Sequence, residues 1–376
     1  MSHWLTVSDC KLILQSLLNA ELSTYRGTPI PAWQDPPEID SLERLHLAGF
    51  VNEFFCLHET GAEDRLLMTT SLDDWAALVV KAIPDTSGLT FRTSGSTGVP
   101  VAHHHCWQDI EAEVSSLAER LAPVLVVQRV LSWLPLHHLY GFMVGIALPA
   151  KLNLPRASVT GAVLPELRPG DLLVTVPPRW DYLVKTRRAW PAELCGVTSA
   201  GPLSAATAQA LHAQGLRGLL DIYGSTETGG IASRWQTDTA YQLLAHWQRH
   251  EPCHIQHTGN GAVLPLQDKV IWHNDSSFML DGRLDDVVVI GGVNVSPAYV
   301  VQRLETLQSV SKCAVRTTMQ ASQLRLKAFV VPQISEEEAA SEIALATVSW
   351  PAAERPVTIT YGVALPTNSI GKLADW

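Results

Sequence analysis

Residues Thr93-Ser94-Gly95-Ser96-Thr97-Gly98-Val99-Pro100 put four small hydroxyl side chains and two glycines into one short stretch. Glycine lets a backbone approach an anion closely, and hydroxyl and amide groups donate to phosphate oxygens, so the chemistry on offer is phosphate binding. The alternative is an ordinary surface turn. No Gly-Lys-Ser/Thr follows, so a Walker-type NTPase loop is excluded. Further along, the apolar run Leu219-Leu220-Asp221-Ile222-Tyr223 reads as a short buried strand. It runs into Gly224-Ser225-Thr226-Glu227-Thr228-Gly229-Gly230, a second hydroxyl-rich turn that now carries a carboxylate. Magnesium is typically held by one or two carboxylates plus substrate phosphates, which makes Glu227 a candidate ligand rather than a solvated loop glutamate. A third stretch, Asp281 to Pro297, reads as a charged turn, an apolar strand, a Gly-Gly hairpin and a helix start. A fourth, Pro366-Thr367-Asn368-Ser369-Ile370-Gly371-Lys372, stands near the carboxyl end.

In this order the four stretches resemble the adenylate-forming superfamily, which includes acyl-CoA synthetases, aryl and acyl acid ligases, peptide-synthetase adenylation domains and luciferases. The resemblance covers residues 93 to 372 and implies ATP and Mg²⁺ as reactants. Thr93, Ser94, Gly95, Ser96, Thr97 and Gly98 then correspond to the phosphate loop, which the family closes with a lysine where this chain has Val101. Ser199, Ala200, Gly201 and Pro202 resemble the turn against the adenine, and Tyr223 the ring that stacks on it. Gly224 and Ser225 lead to Thr226 at the α-phosphate and Glu227 at the magnesium. Arg283 and Asp268 match the ribose contacts, with Asp275 as an alternative carboxylate. Asp285 stands at the hinge, and Lys372 matches the catalytic lysine, whose ammonium stabilises charge as a carboxylate attacks the α-phosphorus. His138, in Leu134-Pro135-Leu136-His137-His138-Leu139-Tyr140, resembles the residue beside the acyl carboxylate and the pantetheine tunnel; the alternative is a core histidine with its nitrogens satisfied.

These groups need a scaffold, and the chain is long enough for one. At 376 residues it supports two or three packed units. The expected fold is α/β, a large layered adenylation domain over residues 1–284 and a small mobile α+β domain over 285–376. Because the phosphate loop begins near residue 90, the first N-terminal subdomain is expected to be a remnant. Ser8-Asp9 followed by Leu12, Ile13, Leu14, Leu17 and Leu18 predicts a capped amphipathic helix and not a signal peptide. Asp109 to Leu121 has helical spacing and Val124 to Trp133 reads as a strand, which begins a β/α alternation running to Tyr223. Beyond 285 the pattern is strand, helix, strand, strand, helix, the last over Glu336 to Thr347. The apolar run Leu139 to Ala150 is too short to span a bilayer.

Formal charge is −10 without a Lys/Arg run, which excludes nucleic acid and an anionic membrane surface as obvious partners. Six cysteines, at 10, 56, 106, 195, 253 and 313, form no CxxC pair and read as free thiols in a cytoplasmic protein. The run His103-His104-His105-Cys106 lacks zinc-ligand spacing, and its adjacent side chains point in different directions.

The substrate is expected to be a plain small-molecule carboxylic acid, since no aspartate near His138 awaits a substrate ammonium. Tyr140, Phe142, Met143, Val144 and Gly145, with the turn Gly229-Gly230-Ile231, make an apolar slot suited to a hydroxylated benzoate or cinnamate, with a medium acyl chain as the alternative. The resemblance implies a phosphopantetheine thiol as acceptor. The scarcity of basic residues in the carboxyl-terminal region favours an acyl carrier protein, docked on a face such as Arg179, Lys185, Arg187 and Arg188, over free coenzyme A. Two other classes stay open. One is a non-catalytic nucleotide or acyl-adenylate binder, suggested by Val101 and the short amino terminus; the other is a hydrolase, for which no Gly-x-Ser-x-Gly elbow exists.

Overall fold

The computed structural model describes residues 4–28, 30, 38–69, 71–92, 101–122, 127–159, 161, 163–187, 189–235, 237, 239–283, 287–320, 323–366 and 375–376, with only the backbone at 282–283. They fall into two compact units. The larger takes the described residues of Met1–Arg92, Ala102–Leu266 and Val270–Asp281, and the smaller those of Thr93–Val101, Gln267–Lys269 and Gly282–Trp376.

The larger unit opens with four helices, α1 (Val7–Arg26), α2 (Ser41–Phe55), α3 (Glu63–Met68) and α4 (Leu72–Ala82). Thr6, not Ser8-Asp9, caps α1: its hydroxyl accepts from Asp9 N while the Asp9 carboxylate accepts from Thr6 N, a reciprocal box that places the acid at the third helical position. The antiparallel pair β1 (Gly88–Arg92) and β2 (Ala102–Cys106) flanks the predicted phosphate loop in sequence, and α5 (Trp107–Leu121) follows, with the Cys106 thiol as its N-cap.

The β/α alternation then appears as β3 (Arg129–Ser132), α6 (Leu139–Phe142), a π-helical turn Met143–Ala147, α7 (Leu148–Lys151), β4 (Arg156–Ser158), β5 (Asp171–Thr175), α8 (Pro177–Thr186), β6 (Cys195–Thr198), α9 (Ala205–Ala213) and β7 (Gly218–Ser225). Strands β5 and β6 are buried at every position, as parallel strands covered on both faces are, with Leu172 to Val174 the apolar centre of β5. Strands β4-β3-β5-β6-β7 lie parallel in that order. Beyond β7 the sheet turns antiparallel through β8 (Gly229–Arg234) and β9 (Tyr241–Leu243). A three-stranded patch of β10 (Trp247–Glu251), β11 (His254–His257) and β12 (Val263–Pro265) intervenes, and β13 (Asp268–Trp272) and β14 (Ser277–Arg283) complete nine strands. One core joins the amino-terminal helices, α5 and the π-helical turn; a second, around Trp180, Trp190 and Leu173, packs under α8 and α9.

In the smaller unit β15 (Val288–Ile290) and β16 (Val293–Val295) form a hairpin whose Gly291 and Gly292 have φ of 60° and 86°, the left-handed pair a two-residue turn requires. Helix α10 (Pro297–Glu305), strands β17 (Val310–Gln320) and β18 (Gln323–Pro332), helix α11 (Glu336–Thr347) and strand β19 (Pro356–Tyr361) follow. They enclose a separate core of Val300, Leu304, Leu326, Val330 and Ile343. Strand β19 was not legible in the sequence; it pairs parallel to β18. The last residues are fastened to this sheet: Lys327 Nζ donates to Asp375 Oδ1 and to the Trp376 carbonyl, both at 2.7 Å, and the Trp376 ring lies 5.8 Å from Phe329.

Candidate active site

In an open parallel sheet, ligands bind in the crevice beyond the carboxyl ends of the strands. The described candidates of the larger unit gather at that edge. Strand β3 ends at Ser132 and leads to His137, His138 and Tyr140; β6 ends at Thr198 and leads to Ser199; β7 ends at Ser225 and leads to Thr226 and Glu227. The Tyr140 hydroxyl donates to Thr175 O, 3.1 Å away, at the end of β5. Burial, reinforced by Asp221, holds the Tyr140 phenol protonated well above its usual range.

The adenine-turn candidates are locally strained. Ala200 sits in the left-handed region with φ 63°, sparsely used by residues other than glycine, and such outliers cluster at binding sites. The Ser199 hydroxyl donates to Ile222 O at 2.7 Å, tying this turn to β7 one residue before Tyr223. The Tyr223 ring is set by Tyr241 and Phe278, with centroids 5.7 Å away in each case.

Between β7 and β8 the chain turns through Thr226-Glu227-Thr228. Ser225 and Thr228 fasten it: their hydroxyls lie 3.1 Å apart, and each accepts the other's backbone N–H at 3.3 Å. Two neighbours grip it from the side. His105 Nε2 lies 2.7 Å from Thr226 O; a carbonyl can only accept, so His105 carries its proton on Nε2. Burial lowers the His105 pKa, the Thr226 hydrogen bond opposing, so the ring is held neutral. On α5, Glu113 is buried, and an added Cβ on Gly230 would stand 2.8 Å from its Oε1. Desolvation pushes the Glu113 carboxyl up to about 7, against a backbone hydrogen bond from Gly230. Trp247 Nε1 donates to the Gly230 carbonyl at 2.9 Å. Glu227 projects outward from the turn, with His103 Nε2 at 3.8 Å.

The adjacent histidines of the next segment divide their work. His137 bonds Ser16 of α1 through Nδ1 at 2.9 Å, and burial, helped by His138, drives its pKa down to about 3, which marks it as structural. His138 is exposed. Of the predicted acyl slot, Phe142, Met143, Val144 and Ile231 are closed into the main core, whereas Tyr140 is only partly buried. The π-helical turn allows Gly145 to press against β3: a Cβ there would meet Ser132 Oγ at 2.7 Å and Leu136 Cδ2 at 2.9 Å. Single π-turns of this kind are frequent at functional sites.

The structure thus brings Ser199–Pro202, Tyr223, Thr226, Glu227, His138 and Tyr140 to one sheet edge. Thr93 to Gly98, the Arg283 side chain, Asp285 and Lys372 lie outside the described residues. Asp268 begins β13 and belongs to the smaller unit, while the alternative Asp275 is fully exposed, 3.6 Å from Arg249. Sequence reasoning missed His105 and Glu113. The period of two in His103-His104-His105 places the outer pair on one strand face, but nothing local names a partner 121 residues away. The proposed basic face is also less open than expected. Arg179 lies over the Trp133 ring and donates to its carbonyl, and Arg187 lies over Trp190.

The profile of the AMP-binding enzyme family matches residues 2–255. The chain is similar to a 4-coumarate–CoA ligase of Halorhodospira halophila, 41% identical over 392 residues, covering 98% of this chain and 99% of that one. It is also similar to a 4-coumarate–CoA ligase of Rhodobacter capsulatus, 35% identical over 388 residues, covering 97% and 99%. Among solved structures, a double mutant of the o-succinylbenzoate CoA synthetase of Bacillus subtilis superposes with a TM-score of 0.63 at 15% identity, covering 98% of this chain and 92% of that one. With the family profile and relatives matched over nearly the whole of both chains in agreement, the chain belongs to the AMP-binding enzyme family and is an AMP-forming acid–thiol ligase.

Proposed function

We propose that the protein activates a hydroxycinnamic acid with ATP and passes the acyl group to the thiol of free coenzyme A. The observation that carries this reading is the 41% identity, spread over 98% of the chain, to a protein named 4-coumarate–CoA ligase. In the first half-reaction a substrate carboxylate oxygen attacks the α-phosphorus of ATP and pyrophosphate leaves. In the second, the thiol sulfur attacks the acyl carbon, its proton is released and AMP departs.

Each residue has a defined part. Ser199–Pro202 and Tyr223 hold the adenine, Arg283 and Asp268 the ribose, and Thr93 to Gly98 the leaving phosphates. Thr226 contacts the α-phosphate, and Lys372 stabilises the charge that builds during attack. His138 stands beside the acyl carboxylate, and Asp285 is the hinge between half-reactions. Glu227 is a hard oxygen donor on an exposed turn beside the Thr226 hydroxyl, a set that fits Mg²⁺ on nucleotide phosphates. The ion supplies charge neutralisation to those phosphates. What this chain contributes is placement, because His105 and the Ser225–Thr228 bonds fix the turn from which Thr226 and Glu227 project.

Coenzyme A replaces the carrier protein as acceptor in this reading. The engagement of Arg179 and Arg187 with tryptophans takes two of the three described charges away from a carrier-docking face. The test is thioester formation from 4-coumarate and ATP with coenzyme A or with a holo carrier protein, alongside benzoates and medium-chain acids. Efficient 4-coumaroyl-CoA synthesis is expected; carrier loading without CoA thioester would overturn the acceptor, and preference for another acid the substrate.

A further inference from the structure

The middle histidine of the His103–His105 run faces away from its neighbours' partners, toward the end of α2. Cys56, which closes α2, has φ 52°, a left-handed conformation uncommon outside glycine. The following 3₁₀ turn, Leu57–Glu59, presents Glu59, and β2 presents His104 opposite Thr90 of β1. Cys56 Sγ, a Glu59 carboxylate oxygen and a His104 ring nitrogen lie within 4.8 Å of one another. We propose that Cys56, Glu59 and His104 bind a borderline-soft divalent cation, zinc foremost, which clips the end of α2 to the β1–β2 pair.

The donor set selects the ion. Thiolate and imidazole suit zinc and exclude the hard-cation chemistry of magnesium or calcium. Three protein ligands leave a fourth position for water. Ligands on one tetrahedral zinc, with bonds of about 2.0–2.3 Å, stand roughly 3.5 Å apart, so the trio must close by about 1 Å. Glu59 and His104 are exposed and can swing; Cys56 is buried and supplies the fixed point. The surroundings orient the ligands as outer-shell partners do. Ser87 N and Oγ each donate to Glu59 at 2.6 Å, Ser87 Oγ lies 2.9 Å from His104 Nε2, and Thr90 Oγ1 lies 3.5 Å from the Cys56 sulfur. On binding, the metal–sulfur bond replaces the Cys56 S–H bond and its proton passes to solvent. Cys56 and Glu59 come from one corner of the chain and His104 from β2, a meeting that the spacing within His103–Cys106 could not indicate.

Cobalt(II) is the probe. The full-length protein, stripped with EDTA and dialysed, is titrated with cobalt(II) and then with zinc. Expected is a thiolate-to-cobalt charge-transfer band that saturates at one equivalent and is displaced by zinc. The band is lost in Cys56→Ser, and His104→Ala weakens cobalt binding by about a hundredfold or more. Zinc should raise the melting temperature of wild type but not of His104→Ala, a variant that stays informative if Cys56→Ser fails to fold. Absence of the band, its persistence in Cys56→Ser, or undiminished binding by His104→Ala would overturn the proposal.

Discussion

His105 Nε2 lies 2.7 Å from the carbonyl of Thr226, bridging strand β2 and the turn that carries Glu227. Because a buried hydrogen bond of this kind contributes about 1 kcal/mol, and an orphaned partner costs about 1–3 kcal/mol, His105→Ala should lower stability by that order. Pyrophosphate release should fall about tenfold as the turn loosens. Urea unfolding and a pyrophosphate assay check both; unaltered turnover with the fold intact would remove His105 from the positioning of this turn.

Glu113 gives a pH signature. Its carboxyl, raised by burial to about 7, stays protonated in the folded chain where the unfolded chain has already ionised. Between the unfolded value near 4.5 and 7 the folded state therefore binds more protons, so this contribution to stability is lost as pH rises. The loss is on the order of 3 kcal/mol at most. Glu113→Gln cannot ionise, so its stability relative to wild type should climb across that window; a pH-independent difference in denaturation free energy would contradict the burial argument.

Two buried histidines act in the opposite sense. Burial lowers His137 to about 3 and His246 to about 4, so they stay neutral in the folded chain when the unfolded chain takes up protons. Stability should fall as pH drops below the ordinary histidine value near 6.5. In His246→Asn the acid limb of the melting-temperature profile should flatten; an unaltered limb would assign the loss to other groups.

Gly145 sits where a methyl group would press on Ser132 and Leu136. Overpacking of this type costs about 1–3 kcal/mol. Gly145→Ala should therefore lower the melting temperature and, by displacing the helix that begins at Leu139, raise KM for the acid more than KM for ATP. Equal changes in both would separate the π-helical turn from acid binding.

Much of the scaffold was legible because its signals are local. Glu336 to Thr347 is read correctly end to end, with Ser335 capping it in the structure, and the Gly291-Gly292 pair announces its hairpin. The apolar run at Leu139 hid its π-turn, since hydrophobicity on every face carries no period. Strands β8 to β14 are short and half-polar, and their place beside β7 depends on pairing that spacing cannot express. At the site, residue types and motif order pointed to Tyr223, Thr226 and Glu227. The groups packed against that turn and the strand after it, His105 at Thr226 and Glu113 at Gly230, come from elements remote in sequence, and so does the meeting of Cys56 with His104.

Acid-dependent exchange of labelled pyrophosphate into ATP reads out acyl-adenylate formation from a hydroxycinnamic acid independently of the thiol step. Expected is exchange that requires 4-coumarate and Mg²⁺ and falls by at least about a hundredfold in Lys372→Ala. No exchange by the folded wild-type protein with 4-coumarate, related cinnamates or benzoates, or exchange undiminished in Lys372→Ala, would contradict it.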